Sequence, residues 1–140
     1  MENAFLTHWL GRIRKSIRHD FEQHAEALDI TTAQFQVLRR LGQGDGIFTT
    51  MLTKDVCSDG GTITGLLDRL EAKALIRRER STSDRRAVQV YLTPAGRGLE
   101  KPLMDIIRSI NDRALTGFSE VETEALRCAL QRIGENLGTE

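Results

Sequence analysis

The 140 residues read as a mostly α-helical chain carrying one small β-hairpin. Three observations support this. Apolar residues recur at three- and four-residue steps over most of the length, the period of a helix with one buried face. Between about residues 75 and 92 that period gives way to alternation, the pattern of a strand pair. Helix-start signals, Thr31, Thr93 and Ser119 among them, stand on both sides of the alternating stretch.

Phe5, Leu6, Trp9, Leu10, Ile13, Ile17, Phe21, Ala25 and Leu28 predict a long amphipathic helix over about 4–28. Thr31 and Gln34 form a capping-box pattern for a second helix with Phe35, Val37, Leu38 and Leu41, which the loop Gly42-Gln43-Gly44-Asp45-Gly46 ends. Ile47 and Phe48 suit a short strand. Thr49 or Thr50 is expected to cap a short third helix through about Val56, with a turn at Ser58-Asp59-Gly60-Gly61. Ile63, Leu66, Leu67 and Leu70 then fall at i, i+3, i+4 and i+7 and give a fourth helix one buried face.

Leu75, Ile76 and Arg77 lead into the polar tip Ser81-Thr82-Ser83-Asp84-Arg85-Arg86, and Val88, Val90 and Leu92 alternate with Gln89, Tyr91 and Thr93 on the way out. Thr93-Pro94 reads as N-cap plus N1 proline of a fifth helix that keeps Leu99, Leu103, Ile106, Ile107 and Ile110 on one side. Pro102 inside it lacks a backbone donor, which predicts a bend or a regular start only after residue 101. Gly117 ends that helix. Ser119 with Glu122 opens a last one carrying Val121, Leu126, Ala129, Leu130, Ile133 and Leu137.

Composition excludes several classes. A hydrophobic fraction of 39% suits a folded globular chain, here a single domain over 1–140. The longest stretch without a charge is only Ala87 to Gly96, too short for a membrane span, and Met1-Glu2-Asn3 lacks the basic start of a signal peptide. A cytoplasmic protein with no membrane partner is expected. Cys57 and Cys128 match no metal or redox spacing, and His8, His19 and His24 do not share one helix face, so neither metal nor cofactor is expected. No nucleophile-base-acid set and no glycine-rich phosphate loop occurs, hence no catalytic residue and no enzyme.

The 20 basic and 20 acidic residues cancel, which at first argues against nucleic acid. By segment, residues 1–68 hold 7 basic and 9 acidic residues, 69–97 hold 8 and 3, and 98–140 hold 5 and 8, giving −2, +5 and −3. The surplus comprises Arg69, Lys73, Arg77, Arg78, Arg80, Arg85, Arg86 and Arg97, and a second basic group, Arg12, Arg14, Lys15 and Arg18, lies near the start. A local excess of this size suits phosphate contact through counterion release, or else a solvated face with scattered ion pairs.

Three helices, a basic hairpin and long amphipathic helices at both ends make a winged helix-turn-helix, over about 30–93, between dimerisation helices over about 1–29 and 94–140. The fourth helix would enter the major groove of double-stranded DNA and the hairpin wing an adjacent minor groove. Thr62, Thr64, Gly65, Asp68 and Arg69 lie opposite its apolar stripe. Gly65 costs roughly 1 kcal/mol in a helix interior, which reads as close backbone approach to DNA or as a tolerated defect. At the wing tip Asp84 stands two residues before Arg86, a spacing at which a carboxylate can hold a guanidinium extended, or form a mere surface ion pair; Arg85 lies between them.

The span Gly61-Thr62-Ile63-Thr64-Gly65-Leu66-Leu67-Asp68-Arg69-Leu70-Glu71-Ala72-Lys73-Ala74-Leu75-Ile76-Arg77-Arg78, with Asp84-Arg85-Arg86 and Leu92-Thr93-Pro94-Ala95-Gly96, resembles the recognition-helix and wing signature of the MarR family of bacterial transcriptional regulators. The likeness extends to Thr32-Ala33-Gln34-Phe35-Gln36-Val37-Leu38 and to the closing helix from Leu130 to Leu137. It implies a homodimer with intertwined terminal helices, a pseudo-palindromic operator, and repression relieved by a small molecule. Thr62 and Thr64 would then contact DNA, Arg86 would enter the minor groove, and Asp84 would buttress it. Two residues depart from the pattern. Gly65 stands where many members have arginine, and Ala74 where glycine is usual, which predicts a bend without positive φ.

The resemblance also implies an aromatic carboxylate or phenol as effector. Trp9 and Arg12, with His8 adjacent, offer a stacking face and a cation, although a Trp on an apolar stripe also suits a core or dimer interface. Cys57 admits a cysteine-based redox-sensing alternative. A winged-helix protein-interaction module without DNA is the other, given zero net charge and Gly65.

Overall fold

The computed structural model describes residues 4–56 and 62–138; Cys57 and the turn expected at Ser58-Asp59-Gly60-Gly61 lie outside them. In chain order come α1 (Phe5–Ala25), a 3-10 turn (Glu26–Leu28), α2 (Thr32–Gly42), β1 (Ile47–Phe48), α3 (Thr49–Asp55), α4 (Ile63–Ala72), β2 (Ile76–Arg80), β3 (Val88–Leu92), α5 (Pro94–Gly98), α6 (Glu100–Ala114) and α7 (Glu120–Asn136). Two compact units result, Met1–Ile107 and Arg108–Glu140. No helix among the described residues is long and apolar enough to cross a membrane.

Side-chain caps start three of the helices as expected. Thr31 and Gln34 exchange both capping-box bonds at 3.2 Å, and Ser119 and Glu122 do so at 2.8 and 3.2 Å. Thr93 Oγ1 accepts from Gly96 N at 3.1 Å, with Pro94 in the first turn. Other starts and stops differ. α1 ends at Ala25 rather than 28, because the chain tightens into a 3-10 turn that Asp29 closes in the left-handed region at φ 54°. Neither Thr49 nor Thr50 caps α3: Phe48, still extended from β1, is its N-cap without any side-chain bond. The single helix expected after Thr93 is two, α5 and α6. The helix is parted at Leu99, and α6 starts at Glu100 rather than after residue 101, with Pro102 as its third residue, where a missing N–H costs no bond within α6.

In the first unit, β1 adds a third strand to the hairpin. The order is β1-β3-β2, all antiparallel, with Ile47 opposite Val90 and the β2–β3 register running from Ile76–Leu92 to Arg80–Val88. Val37, Leu41, Leu52, Leu66, Leu70 and Val90 are fully buried, so α2, α3, α4 and the sheet share one core. Phe21 stacks on Phe35 with ring centroids 5.0 Å apart, which seats the end of α1 on α2. The upper turns of α1 stay exposed, including Phe5, Trp9, Ile13 and Ile17.

In the second unit, α7 leaves Val121, Leu126 and Leu130 exposed, as is Leu137 at its C-cap. Arg127 donates to Glu124 at 2.6 and 2.9 Å, and that bond pulls the Glu124 carboxyl down to about 2.

Candidate nucleic-acid interface

Thr62 is the N-cap of α4, its Oγ1 accepting from Gly65 N at 3.2 Å. Gly65 therefore sits in the first turn, not the helix interior. A Cβ there would stand 3.4 Å from Thr62 Oγ1, an ordinary contact, so nothing within the described residues requires glycine. Leu66, Leu67 and Leu70 are buried as expected, while Ile63 in the opening turn is half-buried. Thr62, Thr64, Asp68 and Arg69 are exposed. Thr49, Thr50 and Thr53 of α3 join Thr62 and Thr64 along an open cleft beside the start of α4, which Val56 and Ile63 also line.

α4 closes on Ala74, which takes φ 57°. The expectation that alanine here avoids positive φ is thus overturned. Ala74 N donates to Glu71 O at 2.9 Å and Leu75 N to Leu70 O at 3.0 Å, a Schellman pair that needs a left-handed residue at this position whatever its side chain. Thr93 Oγ1 also donates to Ala74 O at 2.7 Å.

The wing tip is closed by its own hydrogen bonds. Ser81, only 6% exposed, accepts from Ser83 N and Asp84 N at 3.3 and 3.4 Å, while Ser81 N reaches Ala87 O and Ala87 N reaches Asp84 O. Asp84 Oδ1 accepts the backbone N–H of Arg86 at 3.0 Å. The carboxylate holds the main chain and not the guanidinium expected from the spacing, because a tight turn brings the amide two residues on to the Asp side chain. Arg85 and Arg86 point from a fixed loop with exposed side chains.

Ion pairing splits the basic block in two. Lys73 pairs with Asp29 at 3.1 Å and donates to buried Gln34, Arg77 pairs with Glu79 and lies over the Tyr91 ring at 4.5 Å, and Arg97 pairs with Asp45 at 2.7 Å. Arg78 Nη2 reaches Asp68 Oδ1 at 2.7 Å and Glu71 Oε1 at 2.9 Å. The other four, Arg69, Arg80, Arg85 and Arg86, make no ion pair among the described residues and stand exposed on α4 and the wing. Half of the eight basic residues in this segment are therefore engaged by the lobe's own carboxylates, and the other half stay exposed.

Sequence reading missed Asp45, Glu71 and Arg78. Asp45 Oδ2, in what looked like a plain glycine loop, accepts Leu92 N at 3.1 Å as well as Arg97. Glu71 and Asp68, three apart on α4, were a legible acidic pair with no visible partner, since Arg78 meets them only through the strand register. The hydrogen bonds from Arg78 hold the Glu71 carboxyl below its ordinary range and raise the guanidinium.

The profile of the MarR family matches residues 30–88, α2 through the wing. The transcriptional regulator HosA of Escherichia coli O157:H7 is 30% identical over 113 residues, covering 77% of this chain and 84% of HosA. The chain belongs to the MarR family. The regulator TtmR of Methylorubrum extorquens is 32% identical over 119 residues, 85% of this chain, though the match spans only 56% of TtmR. A crystal structure of a MarR family regulator from Silicibacter pomeroyi superposes with a TM-score of 0.79 at 28% identity, over 96% of this chain and 90% of that one. MarR family members are transcriptional regulators and not enzymes, and their winged helix-turn-helix is the fold described above.

Within this MarR family chain the remaining candidates lie on α1. His8 meets Trp9 edge-on at 5.8 Å and 83°, and Arg12 lies 5.7 Å over the same ring. The three come together on an open helix face, with Trp9 56% exposed. Of the second basic group, Arg18 pairs with Glu22 at 3.2 Å.

Proposed function

We propose that this chain is a dimeric DNA-binding regulator, a repressor that a small aromatic carboxylate or phenol releases from a pseudo-palindromic operator. The observation that carries it is the sorting of charge within the basic block of residues 69–97: among the described residues, the four arginines there without an ion pair, Arg69, Arg80, Arg85 and Arg86, are exposed on α4 and the wing. α4 would lie in the major groove, with Thr62 and Thr64 at its open N-terminus and Arg69 beyond, and Gly65 would let the backbone approach. Arg85 and Arg86 would reach the minor groove from the tip that Asp84 shapes. Phosphate contact by such a set gives affinity that falls steeply with salt.

Dimerisation is supported by the apolar faces left open at both ends. Phe5, Trp9, Ile13 and Ile17 repeat at four-residue steps on α1, and Val121 at 80% exposure, Leu126 and Leu130 on α7 are likewise uncovered. Exposed stripes of this size are uncommon on monomers. The lobe of about 30–93 would read DNA, and the helices of about 1–29 and 94–140 would join the protomers in the cytoplasm. His8, Trp9 and Arg12 would hold the effector at the edge of that seam, ring on ring and carboxylate on cation.

Sedimentation of the purified chain should show a dimer at micromolar concentration. A mobility-shift assay on its own promoter should show binding that salicylate-like anions weaken, and Trp9→Ala should blunt that release. A monomer that binds no promoter DNA contradicts the proposal.

A further inference from the structure

Arg78 is the only described residue of the wing whose side chain grips α4 by two carboxylates. Its Nη2 donates to Asp68 Oδ1 at 2.7 Å and to Glu71 Oε1 at 2.9 Å, and its Nε reaches Glu71 Oε2 at 3.4 Å. Its backbone N donates to the same Glu71 oxygen at 3.1 Å. Asp68 and Glu71 are one turn apart on α4, and Arg78 is the middle residue of β2, opposite Val90. One guanidinium therefore fixes both the distance and the rotation of the helix against the strand that carries the wing. A planar fork on two carboxylates does this where a single point charge would not.

We infer that Arg78, held by Asp68 and Glu71, is a positioning residue that makes α4 and the wing one reading head, so that major-groove and minor-groove contacts are gained together. The inference rests on the DNA-binding reading above. A second consequence follows from charge. Asp68 is 59% exposed on the face offered to DNA and would repel phosphate, and the Arg78 bond offsets it.

Electrostatics and positioning predict opposite signs for the same substitution. Glu71→Gln and Asp68→Asn each remove a negative charge near the DNA face, which by charge alone strengthens binding to every duplex. Loss of the clamp instead weakens binding to the preferred duplex and leaves random duplex unchanged or tighter.

The probe is a duplex selected by the unmodified protein from a random-sequence library, with an unselected duplex as reference. Glu71→Gln is expected to weaken selected-duplex binding about five- to tenfold while thermal unfolding stays cooperative, and Asp68→Asn serves as the second variant should the first fail to fold. Arg86→Ala, expected to cost about tenfold in the unmodified background, should cost under about twofold beside Glu71→Gln, because an unclamped wing contributes little. Such non-additivity is the readout that a merely stabilising ion pair would not move. Tighter or unchanged binding by Glu71→Gln, or an Arg86→Ala loss equal in both backgrounds, overturns the inference and leaves the DNA-binding reading standing. Selection that enriches no duplex with the unmodified protein overturns both.

Discussion

The carbonyl oxygen of Leu75 lies against the bare Cα of Gly96, so close that a Cβ built on Gly96 would overlap it and crowd Leu92 Cδ2 at 3.1 Å. The same carbonyl accepts Thr93 N at 3.1 Å, and the junction between α4 and β2 is thereby bound to the start of α5. Backbone cannot yield to a methyl here as a flexible side chain would. Gly96→Ala should lower unfolding free energy by about 1–3 kcal/mol, read from urea denaturation. A value within experimental error of the unmodified protein would show that the contact relaxes freely.

Ala74 has the opposite character. It holds φ 57° to complete the α4 C-terminus, a conformation that costs an L-residue with a Cβ roughly 1 kcal/mol more than glycine. Ala74→Gly should therefore stabilise the fold by up to about 1 kcal/mol, seen as a higher urea midpoint with an unchanged slope. Destabilisation would mean that unfolded-chain entropy outweighs the relieved strain.

Gly65 separates stability from function. Since a Cβ there meets only Thr62 Oγ1 at 3.4 Å and the position lies in the first turn, where propensity counts for less than in the interior, Gly65→Ala should raise stability by at most about 0.5 kcal/mol. If the backbone approaches DNA at this point, the same variant should bind its operator less tightly. Improved stability with undiminished DNA affinity would reduce Gly65 to a tolerated defect.

Glu71 sets a pH dependence. Its carboxyl is lowered from 4.5, chiefly by the Arg78 side-chain hydrogen bond, so the clamp's contribution is complete above about pH 4.5 and disappears as pH falls through the lower folded value. Glu71 is 41% exposed, and solvent screening keeps the effect under about 1 kcal/mol. Unfolding of the unmodified protein and Glu71→Gln should differ at pH 7, and the gap should narrow as pH falls below 4.5. A constant gap across that range would assign the difference to something other than ionisation.

Much of this architecture was legible because it is local. Thr31 with Gln34 and Ser119 with Glu122 are bonds within one turn, and the Leu66, Leu67, Leu70 stripe is helical period alone. The wing arginines were legible too, as residue types at a hairpin tip. What escaped depends on tertiary register. Arg78 meets Asp68 and Glu71 only because β2 runs back along α4, and Asp45 meets Leu92 only because β1 pairs with β3. Asp84 was assigned to the correct residue but the wrong atoms, since turn geometry selects the Arg86 amide. Ala74 shows the same limit: hydrogen bonding at the helix end dictates φ there, over the preference of the residue itself.

The central claim is that unpaired arginines on α4 and the wing read DNA, and a salt series on Arg86→Ala tests it most directly. Affinity of the unmodified protein for its selected duplex should fall steeply and linearly on a log–log salt plot, and Arg86→Ala should lose about 1–3 kcal/mol at fixed salt with a shallower slope. Binding that ignores salt, together with an Arg86→Ala affinity equal to that of the unmodified protein, would contradict it.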